Sequence, residues 1–110
     1  MQKKVIFISL YIFLIAPINA RAIEQYEIYI ENNKFRPNIL EVKAGQKFKL
    51  IIYNNDSEAE EFESFDLRRE KIIPPYGKII LKLGPLDPGE YEFFGEFHPK
   101  TALGKLIVKE

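Results

Sequence analysis

The 110-residue chain contains no cysteine. That absence excludes disulfides, lipid attachment through an N-terminal cysteine, zinc–thiolate sites and iron–sulfur clusters. An excess of one charge is missing too, because sixteen basic and sixteen acidic side chains cancel. Nothing is left over to neutralise phosphates, so no nucleic-acid partner is expected. Internal repeats and low-complexity segments are absent. So are a Gly-x-Ser-x-Gly elbow, a glycine-rich phosphate loop and a His-Glu-x-x-His motif. A serine triad would need His98, the only histidine, with Ser57 or Ser64, and neither serine has a nucleophile context. Paired carboxylates can cleave glycosides, but so short a chain offers little cleft for a sugar. An enzyme is not expected.

Long hydrophobic runs are scarce, and the one at the start is informative. Lys3 and Lys4 precede an apolar stretch over residues 5–16, twelve positions broken only by Ser9. That is shorter than the roughly 20 residues a spanning helix needs. Pro17 follows, and Ala20-Arg21-Ala22 has the small-x-small spacing that signal peptidase reads. Residues 1–22 are therefore expected to be a cleaved signal peptide, and 23–110 one exported, periplasmic domain. Cleavage after Ala20 fits less well, and an uncleaved anchor is the alternative that the short run opposes. Removing 22 of 110 residues leaves 88, with thirteen basic against sixteen acidic side chains, hence a charge of −3. A domain this size buries only about 60–65% of its unfolded surface. Its core must lean on aromatics, and all nine phenylalanines except Phe7 and Phe13 lie in this part.

The remaining sequence reads as strands and turns. Tyr26, Ile28 and Ile30 alternate with Glu27, Tyr29 and Glu31, the period of a half-buried strand. Phe35-Arg36-Pro37 interrupts it. A short strand follows at Leu40-Glu41-Val42, then a turn at Ala44-Gly45. Phe48, Leu50 and Ile52 alternate through 47–54, and Asn54-Asn55-Asp56-Ser57 has loop composition. Residues 58–71 are ambiguous. Ala59, Phe62 and Phe65 are spaced by three, as on a helix, while Glu61-Phe62-Glu63 alternates, as on a strand. Pro74-Pro75-Tyr76-Gly77 ends that region. Strands over 78–83, 90–94 and 105–109 are separated by a Pro/Gly turn at 84–89 and a loop holding His98. About seven short strands without a convincing long helix predict an all-β, antiparallel sandwich or barrel.

Two segments stand apart from this scaffold. Glu58, Glu60, Glu61, Glu63, Asp66 and Glu70 fall within thirteen residues. Alone, that reads as a solvated acidic face partly neutralised by Arg68, Arg69 and Lys71. Gly95-Glu96-Phe97-His98-Pro99 is the other, and a lone loop histidine is most often a surface residue.

Together they carry a resemblance. The stretch from Leu86 to Pro99, with its Pro88-Gly89 turn and its Tyr91-x-Phe93 strand, resembles the ligand-loop region of cupredoxins. That family continues with a cysteine, a histidine, usually a methionine, and a glycine before the last strand. Gly95 stands at the cysteine, His98 at the histidine, Leu103 near the methionine and Gly104 at the closing glycine. Phe35-x-Pro37-x-x-Leu40-x-Val42-x-x-Gly45 is similar to the opening strands, and Glu61 falls at the first ligand histidine. The resemblance covers essentially all of 23–110 and implies a cupredoxin-like Greek-key β-sandwich. Type 1 copper needs a thiolate, which this chain lacks, so blue-copper electron transfer is excluded. Glu61-Phe62-Glu63-Ser64, Asp66-Leu67, Arg69-Glu70-Lys71 and Pro75 further resemble EfeO-type domains and small periplasmic cupredoxins of bacterial high-affinity iron uptake. In that branch a Glu-x-Glu pair takes part in metal binding.

That resemblance implies a periplasmic metal-binding accessory, with Glu61, Glu63, Asp66, Glu96 and His98 as candidate ligands. Carboxylates and one imidazole suit iron, Cu(II), manganese or zinc, and do not select cuprous copper. The implied partners are an inner-membrane iron permease and its periplasmic accessory proteins. One rival is a metal-free module that grips a partner protein with the same loops. The other is an electron-transfer or oxidase accessory, which the absence of cysteine disfavours.

Overall fold

The structure, a computed structural model, describes residues 22–110. The expected signal segment lies almost wholly outside the described residues. Among these, every regular element is a strand, nine in all. β1 (Glu24–Glu31), β2 (Lys34–Arg36), β4 (Phe48–Asn54) and β7 (Lys78–Leu83) form one sheet in the order β2-β1-β4-β7. β3 (Ile39–Lys43), β9 (Leu103–Lys109), β8 (Gly89–Gly95), β5 (Glu60–Ser64) and β6 (Arg69–Ile73) form the other, in the order β3-β9-β8-β5-β6. The all-β sandwich expected from the sequence is present, but its sheets are mixed. β1 runs parallel to β4, and β3 runs parallel to β9.

Two of the nine strands were not expected. Phe35 and Arg36 do not simply interrupt β1. Asn32 and Asn33 take positive φ values of 52° and 59°, so the chain turns in two residues and pairs Glu31 with Lys34. Asparagine tolerates that conformation, and the resulting turn matches strand twist. The Asp56 carboxylate accepts both turn N–H groups at 2.9 Å. Residues 58–71 contain no helix. β5 turns through 65–68 into β6, so the strand-like alternative is correct for Glu61–Glu63, and a further strand follows it. The helical spacing of Phe62 and Phe65 fails because Phe62 enters the core while Phe65 stays 75% exposed.

The core lies between the sheets. Phe35, Phe62 and Phe93 meet there with centroids 5.0–6.4 Å apart. Ile28, Leu50, Ile52, Ile73 and Leu106 close around them, each fully buried. Each such side chain contributes roughly 1.5–3 kcal/mol on burial. β5 alternates strictly. Glu60, Phe62 and Ser64 are buried, whereas Glu61 and Glu63 are only half-buried. A charged residue therefore points into the sandwich at the start of β5.

Candidate functional site

Period-two alternation puts the acidic residues of β5 on opposite faces of its sheet. They build two unlike arrangements.

The inward arrangement closes one end of the sandwich. The Glu60 side chain is 2% exposed and that of His98 is 22% exposed. Glu60 Oε2 lies 2.7 Å from His98 Nδ1. Its other oxygen, Oε1, accepts the N–H groups of Glu61 at 2.9 Å and Phe97 at 2.8 Å. On the solvent side, Glu58 Oε2 lies 3.1 Å from His98 Nε2. The Glu60 hydrogen bond holds the His98 pKa above its ordinary 6.5, against partial burial, with help from the Glu60 charge and from Glu58. As an imidazolium, His98 donates to both carboxylates. The loop bearing it is tight: Gly95 N–H donates to Ala102 O at 2.8 Å, and Ala102 N–H to His98 O at 2.9 Å. Buried Asn54 steadies the facing loop by donating to Glu58 O and Ile73 O.

The outward arrangement lies across β5, β6 and the end of β8. Glu63 sits directly opposite Glu70 in the β5–β6 ladder. The Glu96 N–H donates to Glu61 O at 2.9 Å, which brings residue 96 alongside β5. One carboxylate oxygen from each of Glu61, Glu63, Glu70 and Glu96 lies within 4.8 Å of the others. Among the described residues, no ion pair involves this quartet. Glu63 Oε2 is buried without a hydrogen-bond partner. Unbalanced like charges favour protonation. A hydrogen bond with Glu70 is the main cause that pushes Glu61 up to about 7, followed by burial and the Glu96, Glu70 and Glu63 charges. Glu63 is raised too, by burial first and then by Glu70 and Glu96.

The structure thus divides the expected ligand set. Glu61, Glu63 and Glu96 do converge. His98 does not join them; it lies across the sheet with Glu60 and Glu58. Asp66 belongs to neither group, because its Oδ2 accepts the Glu92 N–H at 2.8 Å and ties the 65–68 turn to β8. Glu70 completes the quartet and was not expected. Its signal was the fold of the chain back on itself about 65–68, which sets residue 70 opposite residue 63. Glu60, not Glu61, faces the histidine. The residue beside Phe62 that shares its inward face must be 60 or 64, so alternation alone could have chosen it.

A family model for the cupredoxin-like domain matches residues 4–108. This chain is a cupredoxin-like domain. It is 51% identical over 86 residues to "Uncharacterized protein RP394" of Rickettsia prowazekii (strain Madrid E), covering 78% of this chain and 69% of that protein. The fold is similar to the metal-binding domain of the Cu(I)-exporting P-type ATPase CopA of Streptococcus pneumoniae D39, solved with Cu(I). That match has a TM-score of 0.70 and 16% identity, over 82% of this chain and 89% of the other. Auracyanin A, a "blue" copper protein from Chloroflexus aurantiacus, matches with a TM-score of 0.69 and 15% identity, over 80% of this chain and 100% of its own. Amicyanin from Paracoccus versutus matches with a TM-score of 0.61 and 21% identity, over 86% and 87% respectively.

Copper of the type 1 kind does not fit this cupredoxin-like domain. At the family's cysteine position, a Cβ on Gly95 would fall 2.5 Å from Glu60 Cδ, 2.7 Å from Glu60 Oε2 and 2.7 Å from Ala102 Cβ. The space beside His98 is filled by a carboxylate, and among the described residues there is neither cysteine nor methionine to act as a soft ligand. Leu103, near the methionine position in the resemblance, is 54% exposed, and its neighbour Ala102 is fully buried.

Proposed function

We propose that this cupredoxin-like domain is an exported metal-binding accessory whose site is the outer quartet of Glu61, Glu63, Glu70 and Glu96. The observation that carries this reading is the convergence of four carboxylate oxygens within 4.8 Å, with no ion-pair partner among the described residues. Such a cluster is electrostatically unfavourable when fully ionised and is relieved by protons or by a cation. All-carboxylate donors take hard or borderline cations, such as iron, manganese or Cu(II), and give no hold on Cu(I). The quartet opens to solvent at Glu70 and Glu96, which suits a cation that must be passed on. Iron import through an inner-membrane permease and its periplasmic accessory proteins is the process we assign. Its support is the Glu-x-Glu resemblance of the sequence.

Calorimetric titration with manganous, cupric and ferric-chelate ions tests this reading. One cation is expected per chain, with proton release on binding at pH 6.5, because the protons held by the quartet must leave. Heats unchanged by Glu63→Gln and Glu96→Gln would defeat it. One observation favours the metal-free rival: Phe65, Leu103 and Ile39 are 75%, 54% and 49% exposed. Absence of any metal binding, with partner capture lost in Phe65→Ser, would decide for that rival.

A further inference from the structure

The filled pole of the sandwich has a consequence of its own. Where a copper protein of this fold would gather ligands from two loops around an ion, this chain gathers the same two loops around a carboxylate. Glu60 comes from the start of β5, and its acceptor oxygens collect His98 Nδ1 and the N–H of Phe97, both from the 95–102 loop. Gly95 is required beneath it, since any side chain there would collide with Glu60 and Ala102. Burying a carboxylate costs several kcal/mol unless it is paired and hydrogen-bonded. Here an imidazole and two backbone N–H groups meet that requirement. Thr101 Oγ1 adds a 2.8 Å bond to Asn33 O, tying the loop to the β1–β2 turn.

The backbone of Glu96 lies inside this clamp. Its own N–H is held by Glu61 O, and the next N–H, of Phe97, is held by the Glu60 carboxylate. Its side chain emerges on the opposite side of the sheet, in the quartet. We propose that Glu60 has replaced the metal as organiser of this pole: it closes the pole to copper and, as a positioning residue, holds Glu96 in the outer carboxylate quartet. The first half stands on the pole geometry alone, while the second rests on the metal-binding reading of the quartet.

Three measurements on the folded domain test it. Amide hydrogen exchange compares wild type with Glu60→Ala, Glu60→Gln and Val108→Ala, the last a truncation at the far end of β9. Glu60→Ala should speed exchange by about tenfold or more at Phe97, whose charge-assisted hydrogen bond is lost, and at Glu96, whose bond to Glu61 O loses its adjoining support, relative to other core amides. Glu60→Gln keeps an acceptor oxygen and should rescue most of that protection. A loss in Val108→Ala equal to that in Glu60→Ala would overturn the clamp. In the second measurement Gly95→Cys, alone and combined with Glu60→His and Ala102→Gly, is loaded with Cu(II). The triple variant is expected to show an intense thiolate-to-copper absorption, and the single variant none. Intense absorption in the single variant would overturn the claim that Glu60 occupies the pole. Third, Mn(II) titration of Glu60→Ala should show affinity reduced about tenfold, as expected when the support of one ligand is removed. Unchanged Mn(II) affinity in that variant would refute the positioning role while leaving the quartet as a metal site. Absence of Mn(II) binding in wild type would instead refute the metal reading and with it the positioning half, while exchange and copper loading still judge the filled pole.

Discussion

Glu60 and Glu61 are neighbours in sequence and of one residue type, yet they face chemically opposite surroundings. Glu60 enters the sandwich and meets an imidazole and two N–H donors. Glu61 faces outward among three more carboxylates. Inside, the charge is matched, and the result is a fixed junction between two loops. Outside, it is unmatched, and the result is a site that holds protons at a pH where a carboxylate is ordinarily bare. A single step along a strand separates a carboxylate paired by donors from one crowded by like charges, because successive side chains point to opposite faces.

The largest expected effect falls on the inner side. Glu60→Ala removes one member of a buried pair and leaves His98 Nδ1 and the Phe97 N–H without their acceptor. It should cost about 3 kcal/mol of folding stability, read as a lower urea midpoint at pH 6. Glu61→Ala should cost far less, and equal losses would erase the contrast between the two faces.

On the outer side, Glu63→Gln should lower divalent-cation affinity by about tenfold, as loss of one charged ligand does, with little change in the urea midpoint. His98→Ala should change that affinity less than any quartet variant. The reverse ranking, measured by calorimetry, would reunite the histidine with the carboxylates.

The pH dependence sharpens the comparison further. Glu61 titrates near 7 in the folded chain against 4.5 ordinarily. Across that window the native state binds more protons than the unfolded one, so stability falls as pH rises from about 4.5 to 7. His98, also raised, contributes stability that is complete below its ordinary 6.5 and is lost as pH climbs through its higher folded value. Both slopes have one sign but different owners. Glu61→Gln should flatten the lower window alone, His98→Ala the upper one, and saturating Mn(II) the lower one. Urea midpoints at half-unit pH steps separate them.

The smallest effect is expected at Asp66. Asp66→Asn keeps an acceptor for the exposed Glu92 N–H, so stability should change by about 0.5 kcal/mol or less. Metal affinity should be untouched. A clear loss of affinity would return Asp66 to the ligand set.

How far these features were legible in the sequence differs by element. β1, β4, β7, β8 and β9 announce themselves through alternation and Pro/Gly punctuation. β2 does not, because three residues are too few to show a period and its turn depends on two asparagines in the left-handed region. β6 is hidden because it is an edge strand with only Ile73 buried, so its polar sequence lacks the apolar alternation of a covered strand. The candidate ligands were legible as residue types and as two segments that meet. Their division was not. Glu61, aligned with a ligand histidine by the resemblance, faces away from His98 while its neighbour Glu60 faces it, because in a strand one residue exchanges the faces.

By itself the sequence determined the chemistry available here. Without cysteine there is no thiolate, and so no type 1 copper in any conformation. With a single histidine and dense glutamates, only hard or borderline side-chain donors remain in residues 22–110. Alternation of apolar residues made the chain a sandwich, since each strand had one face to bury. Tertiary structure decided which carboxylates belong together. The turn at 65–68 set Glu70 across from Glu63, the β5–β8 pairing brought Glu96 beside Glu61, and closure of the sheets drove Glu60 inward against His98. These are contacts between residues up to 38 positions apart. Their geometry follows from strand order and register, which arise only when the sheets pack.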